Sequence, residues 1–239
     1  MADLDFVPAA VADDLVVLAR NELARGRGAH YPASSDTDAS QEHPNGVTID
    51  LGYRKIQTLP AEVIDVIKDE CARLALSHNL LTSLPPQLSK CTRLRYLNVR
   101  SNSLREFPEA ILQLSSLEIL DISKNKIRVL PPEISNLKSL KVFSIQKTRI
   151  EQLPVGLADI NSLQVLKLYG LPLTFPPPDV CTLKKDTPIP ADENQRDVAI
   201  WAQVKRYLRQ HANRERMKIE SDGDTRFEHL GVIISVRVH

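Results

Sequence analysis

The chain has 239 residues, 42% of them hydrophobic and 26% charged, and a formal net charge of +1. That length and composition suit one sizeable globular domain with appendages, and the near-balanced charge excludes a global field that would recruit nucleic acid or a membrane surface. Three scattered cysteines exclude a disulfide framework or a zinc site, no apolar run is long enough to span a bilayer, and "MADLDFVPAA" has neither the basic start nor the apolar core of a secretory signal, so the expected compartment is the reducing cytoplasm.

In chain order, residues 1–28 predict a helix. Val11, Leu15, Leu18 and Leu23 share a face, Pro8 suits the first turn, and Gly26 and Gly28 suit the end. The helix can dock as an N-terminal cap or stand free as a partner-binding element. Residues 29–46, "AHYPASSDTDASQEHPNG", are polar and turn-rich and read as a flexible linker.

From residue 47 to 184 one phrase recurs. Its first strand position is Ile49, Leu74, Leu97, Leu120, Phe143 and Leu166, spaced 25 and then 23 residues apart. The second strand position is Leu51, Leu76, Val99, Ile122, Ile145 and Leu168, and a Leu-Pro or Phe-Pro pair follows at 59–60, 84–85, 107–108, 130–131 and 153–154. Agreement in many columns at this period is the mark of leucine-rich repeats. The fold expected is an α/β solenoid, a horseshoe of about six repeats with a parallel sheet on its concave side. No coil can bury its own leucines, so neighbours stack and share one core. The prolines fix φ and remove a donor on the return path. Asn79, Asn102 and Asn125 fall where the chain turns inward, and a buried turn needs an amide side chain to satisfy its backbone groups. Arg54, Thr148 and Leu171 break that column toward the ends, as terminal repeats commonly do. Cys71 and Cys91 are read as small core hydrophobes on the return side.

Residues 185–220 predict a C-terminal capping helix with Val198, Trp201, Val204 or Lys205, and Leu208 at helical spacing. The alternative is an anionic docking site built from Lys205, Arg206, Arg209, Arg214, Arg216 and Lys218. Residues 221–239 form an atypical tail. Its apolar "GVIISV" has no place in the repeat pattern, which suggests that the natural chain continues differently or that this terminus comes from an altered reading of the gene.

No Gly-rich phosphate loop, metal-ligand spacing or nucleophile–base pair emerges, so no catalytic, cofactor-binding or metal-ligating residue is assigned and no cofactor is expected. Function is expected on the concave strand face. There Arg95, Tyr96, Asn98, Arg100, Asp121, Lys124, Ser144, Lys147, Lys167 and Tyr169 are the candidate partner-binding residues, and Arg100, Lys124, Lys147 and Lys167 form a basic patch projecting by strand alternation. Asn79, Asn102, Asn125 and Trp201 are the candidate structural residues. Six strands at about 4.8 Å each suit a partner footprint of about 800 Å².

The unit "LP.EI..L..L" resembles the intracellular, Ras-group type of leucine-rich repeat. The order of a short helix, a polar linker, "TIDLGYRKIQTLPAEVIDVIKDECARLALSHNLLTSLP", six repeats and the helix "AIWAQVKRYLRQ" is similar, over about residues 5–220, to one fungal family. That family is the leucine-rich-repeat scaffold of the RAM network, which supports an NDR-type kinase in polarised growth and cell separation. The resemblance implies a non-catalytic scaffold whose partner is a signalling protein, either a kinase-network component or a small GTPase. Members of the family carry a large domain after the repeats, and no such domain is expected within these 239 residues. The other reading is the regulatory repeat region of a larger signalling enzyme such as a fungal adenylate cyclase or a phosphatase.

Overall fold

The computed structural model describes residues 9–28, 46–183, 190 and 192–222. The expected linker, apart from Gly46, and the tail from residue 223, with its "GVIISV" run, lie outside the described residues. Six strands, β1 (Val47–Asp50), β2 (Cys71–Ala75), β3 (Tyr96–Asn98), β4 (Ile119–Asp121), β5 (Val142–Ser144) and β6 (Val165–Lys167), form one parallel sheet in sequence order. The molecule is a leucine-rich repeat solenoid with helices flanking the repeats.

The period becomes register. Tyr96, Ile119, Val142 and Val165 are successive partners, as are Asn98, Asp121, Ser144 and Lys167, so each 23-residue step adds one aligned strand. The longer first step pairs Asp50 with Ala75 and contains a register irregularity between Val47 and Thr48. Its return path also differs: it holds the seven-residue α-helix α2 (Ala61–Ile67), whereas the next four repeats return through five-residue 3₁₀ helices. Pro85, Pro108, Pro131 and Pro154 stand immediately before those 3₁₀ helices with φ of −67°, −70°, −68° and −65°. An amide donor is not needed there, and the ring pre-sets the turn.

The leucine columns fill the space between sheet and return path. Leu74, Leu97, Leu120, Phe143 and Leu166 on the strands, and Leu88, Ile111, Ile134 and Leu157 opposite them, have no solvent exposure. Cys91 belongs to the return side, but Cys71 does not: it is the first residue of β2, where a side chain three before the strand leucine turns into the core. Burial pushes the Cys71 thiol far above its usual range and the Cys91 thiol up to about 11, so both behave as apolar filler.

Both ends of the stack are covered. Helix α1 (Ala9–Gly28) packs on β1 and α2 through Leu15, Ala19 and Leu23, and Arg27 donates from Nε to Glu70 (2.7 Å). The structure therefore decides for docking. Gly26 is not a helix end. It lies within α1 against Val47, where a Cβ would fall 2.1 Å from Val47 Cγ1, so the close approach of helix to strand requires glycine.

Helix α3 (Glu193–Asp222) covers the other end, packing on β6 and on the 3₁₀ helices Val155–Asp159 and Pro178–Cys181. Its inward face is Asp197, Trp201, Val204 and Leu208. Val198, expected on that face, is 44% exposed, because the stripe runs through the preceding position instead.

Candidate interaction surface

The edge of the concave face is set by the asparagine ladder. Asn102 Nδ2 donates to Leu76 O and Val99 O (both 2.9 Å), and its Oδ1 accepts from Leu81 N (3.0 Å). Asn125 repeats the pattern one coil later with Val99 O, Ile122 O and Leu104 N. Asn79 does so one coil earlier, donating to Leu51 O and Leu76 O and accepting from Ile56 N and Arg54 N. Arg54 therefore contributes its backbone amide to the ladder while its side chain stays exposed. In the fifth coil Thr148 Oγ1 donates its one proton to Ile145 O (2.9 Å).

The residue before each of these positions bends the chain out of the sheet. Tyr53, His78, Ser101, Lys124 and Lys147 all have φ between 53° and 58°. Lys124 and Lys147 thus do not project by strand alternation, as the sequence suggested. They stand on left-handed corners along one rim, and both are exposed. Lys147 Nζ lies 5.7 Å from the centre of the Tyr169 ring, and Tyr169 is 73% exposed. At the other end of the rim Tyr53 stacks on His78, centroids 4.3 Å apart and nearly parallel.

Across the face itself the candidates have unequal standing. Tyr96 lies under the Arg73 guanidinium at 4.3 Å, and Asn98 Nδ2 donates to the Tyr96 hydroxyl (3.2 Å). Asn98 Oδ1 also accepts from Arg100 N (3.0 Å), and Asp121 accepts in the same way from Ser123 N (2.9 Å) and from the Ser123 hydroxyl. These two side chains hold the strand exits. Asp121, a candidate for partner binding, thus also has a structural task. Ser144 is 5% exposed and offers a partner almost nothing, since its short side chain sits below its neighbours. Arg95 precedes β3 and stands on the opposite rim, beside the Lys141–Glu118 ion pair (2.7 Å), whose lysine holds the Glu118 carboxyl below its usual range.

Lys167 does not join the basic patch. Its Nζ reaches Asn194 Oδ1 (3.3 Å) and Asp197 Oδ2 (3.7 Å) on α3, so the C-terminal helix occupies it. Helix α3 also uses its own donors on the end of the stack. Trp201, 2% exposed, donates Nε1–H to Leu163 O (2.9 Å), Lys205 Nζ donates to Ile160 O (3.0 Å), and Arg209 donates to Ala158 O (3.3 Å) and Asn161 Oδ1 (3.0 Å). Two cations of the alternative anionic docking site are therefore bound to backbone carbonyls at the end of the last complete coil. Burial lowers the Lys205 pKa and raises that of Asp197, the latter against the pull of Lys167.

Sequence reasoning omitted one column of the face. Strand alternation places Arg73, Ile119, Val142 and Val165 in line with Tyr96, one residue before each strand leucine. The signal was present, since positions flanking a buried strand residue on either side share the opposite face. Ile119, Val142 and Val165 are half-buried and make that strip of the sheet apolar beside the charged rim.

Residues 82–182 match a family described as a leucine-rich repeat region. A 68-residue segment is 48% identical to the leucine-rich repeat-containing protein sog2 of Schizosaccharomyces pombe, covering 28% of this chain and 7% of that protein. The matched part is thus a small fraction of its curated relative. Among solved structures, a leucine-rich repeat protein of Leptospira interrogans is 35% identical with a TM-score of 0.49, over 53% of this chain and 32% of that one. An internalin of Listeria monocytogenes is 19% identical with a TM-score of 0.44, over 49% and 33%. Among the described residues no helix is long and apolar enough to cross a membrane.

Proposed function

We propose that this chain is a non-catalytic cytoplasmic protein–protein interaction module that receives a signalling protein on its concave face. Its role is to scaffold an NDR-type kinase network in polarised growth and cell separation. The observation that carries the reading is the concave face, with the apolar strip Ile119, Val142 and Val165 beside Arg73 on Tyr96, Arg100, and the rim cations Lys124 and Lys147. Solenoids bind through such extended concave surfaces, and aromatic and arginine side chains are the common anchors of interfaces. The fungal network is supported by the identity to the fission-yeast repeat protein together with the order of flanking helices and repeats that the sequence resembles. A partner with an acidic surface complements Arg100, Lys124 and Lys147, which speeds association more than it deepens affinity.

The test is affinity capture from a fungal lysate. Reversing Arg100 and Lys124 to Glu should leave the thermal melt nearly unchanged and abolish capture of kinase-network components. Reversing Lys90 and Lys138, on the return side, should preserve capture. Loss with the return-side pair and retention with the concave pair would reject the concave assignment.

A further inference from the structure

A second charged surface lies on a different wall of the solenoid, where the chain leaves the asparagine ladder for the 3₁₀ helices. There a groove of about 720 Å³ spans the third to fifth repeats. Its charged lining is Arg105, Lys126, Arg128 and Arg149, together with Glu106 and Glu109. Among the described residues none of the four cations enters an ion pair. Phe107 and Pro131 contribute an apolar lining, and Val129 stands in it 70% exposed.

The cations are clustered rather than periodic. The column of Arg105 and Arg128 reads Gln57, Thr82, Glu151 and Thr174 in the other repeats. The column of Lys126 and Arg149 reads Lys55, Leu80, Ser103 and Pro172 elsewhere. A solvated flank serving only the stack has no reason to concentrate like charges in adjacent coils, where they repel. Nor does it need a large aliphatic side chain held out in water among them.

We propose that this groove is a docking site for an extended acidic segment of a partner protein, separate from the concave face. Three of the four cations are arginines, whose planar fork matches a carboxylate in two parallel hydrogen bonds. Phe107, Pro131 and the exposed Val129 offer such a segment apolar contact among the cations. The two glutamates limit the net charge of the groove, which favours separated carboxylates over a densely charged polyanion.

The experiment uses the full chain and a fluorescein-labelled dodecapeptide of repeating Glu-Glu-Leu, read by anisotropy, with the Gln-Gln-Leu peptide as the neutral comparison. The acidic peptide should bind at least about tenfold tighter than the neutral one and weaken as salt rises. Replacing Lys126 and Arg128 by Glu should weaken it by about tenfold or more, while the melt stays unchanged because both side chains are exposed. Arg128→Gln alone should give an intermediate loss and guards against misfolding of the double variant. The concave pair Arg100→Glu and Lys124→Glu should bind the peptide as the unmodified chain does. Peptide binding insensitive to the groove variants, or lost with the concave pair instead, overturns the proposal. So does capture by phosphatidylserine vesicles that needs Lys126 and Arg128 when the peptide does not bind, since the groove would then serve a membrane.

Discussion

The middle of the stack and its C-terminal end face the same problem and answer it differently. A coil that turns inward leaves backbone carbonyls and amides away from water, and each must find a partner. In the middle repeats one side chain is reused: Asn79, Asn102 and Asn125 each bridge two coils through both ends of the amide. At the C-terminal end the column fails, and a separate helix brings Trp201, Lys205 and Arg209 to the carbonyls of Leu163, Ile160 and Ala158. The first solution is written into the period. The second is written once, at a sequence distance of 38 residues or more. The N-terminal end is different again, closed by apolar packing and by the missing Cβ of Gly26.

The largest effect should come from removing the C-terminal solution. Trp201→Ala deletes a buried aromatic together with its hydrogen bond and should lower stability by about 3–5 kcal/mol, seen in denaturant unfolding. The native tryptophan emission, from the only Trp in the chain, should be blue-shifted. Water-like emission from the native chain would mean that α3 does not cover the stack.

Removing one rung of the middle solution should do less. Asn102→Leu leaves Leu76 O, Val99 O and Leu81 N without their partner and should lower stability by about 1–3 kcal/mol. A midpoint equal to that of a surface control would show that the ladder is not holding these groups.

Extending the ladder by one rung should add stability. Thr148 occupies the next rung with one donated bond to Ile145 O. By the register of Asn102 and Asn125, an asparagine at 148 would also reach Ile122 O and Ile127 N. Thr148→Asn should therefore raise stability by about 0.5–1.5 kcal/mol. A loss would mean that the fifth coil has already adapted to threonine.

The smallest effect is electrostatic. The Asp197 carboxyl has its pKa raised chiefly by burial against the end of the sheet, with Glu193 and Asp192 adding to it and Lys167 opposing it. A carboxyl raised in the folded state contributes stability that is present below its ordinary value and is lost as pH rises through the raised one. Asp197→Asn should therefore melt above the unmodified chain near neutrality, with the difference shrinking as the pH falls through the raised pKa and levelling off below the ordinary carboxylate range. A difference that grows on acidification would reverse the sign.

These particulars show where the sequence could be read. Strand register and the buried columns were legible because each recurs about every 23 residues in six copies, and the ladder because three adjacent copies agree. The first repeat departs in its helix α2, and its two extra residues were the visible sign. What was not legible rests on contacts made once. Nothing near Lys167 in the sequence announces Asn194 and Asp197 as its partners. The inward stripe of α3 holds Trp201, Val204 and Leu208 as expected, but its first position is the acidic Asp197 where the apolar Val198 seemed the better fit. Ser144 looked available because alternation reports direction and not depth. The left-handed corners under Lys124 and Lys147 carry no glycine to mark them.

With both ends covered, the concave face stays open, and it is the surface proposed for the partner. The most direct test of that account is lysine footprinting by acetylation, on the chain alone and in complex with whichever partner the proposed capture experiment identifies. The account predicts that Lys124 and Lys147 are modified in the free chain and protected in the complex, while Lys90 and Lys138 are modified equally in both. Protection of Lys90 and Lys138 with Lys124 and Lys147 still reactive would contradict it.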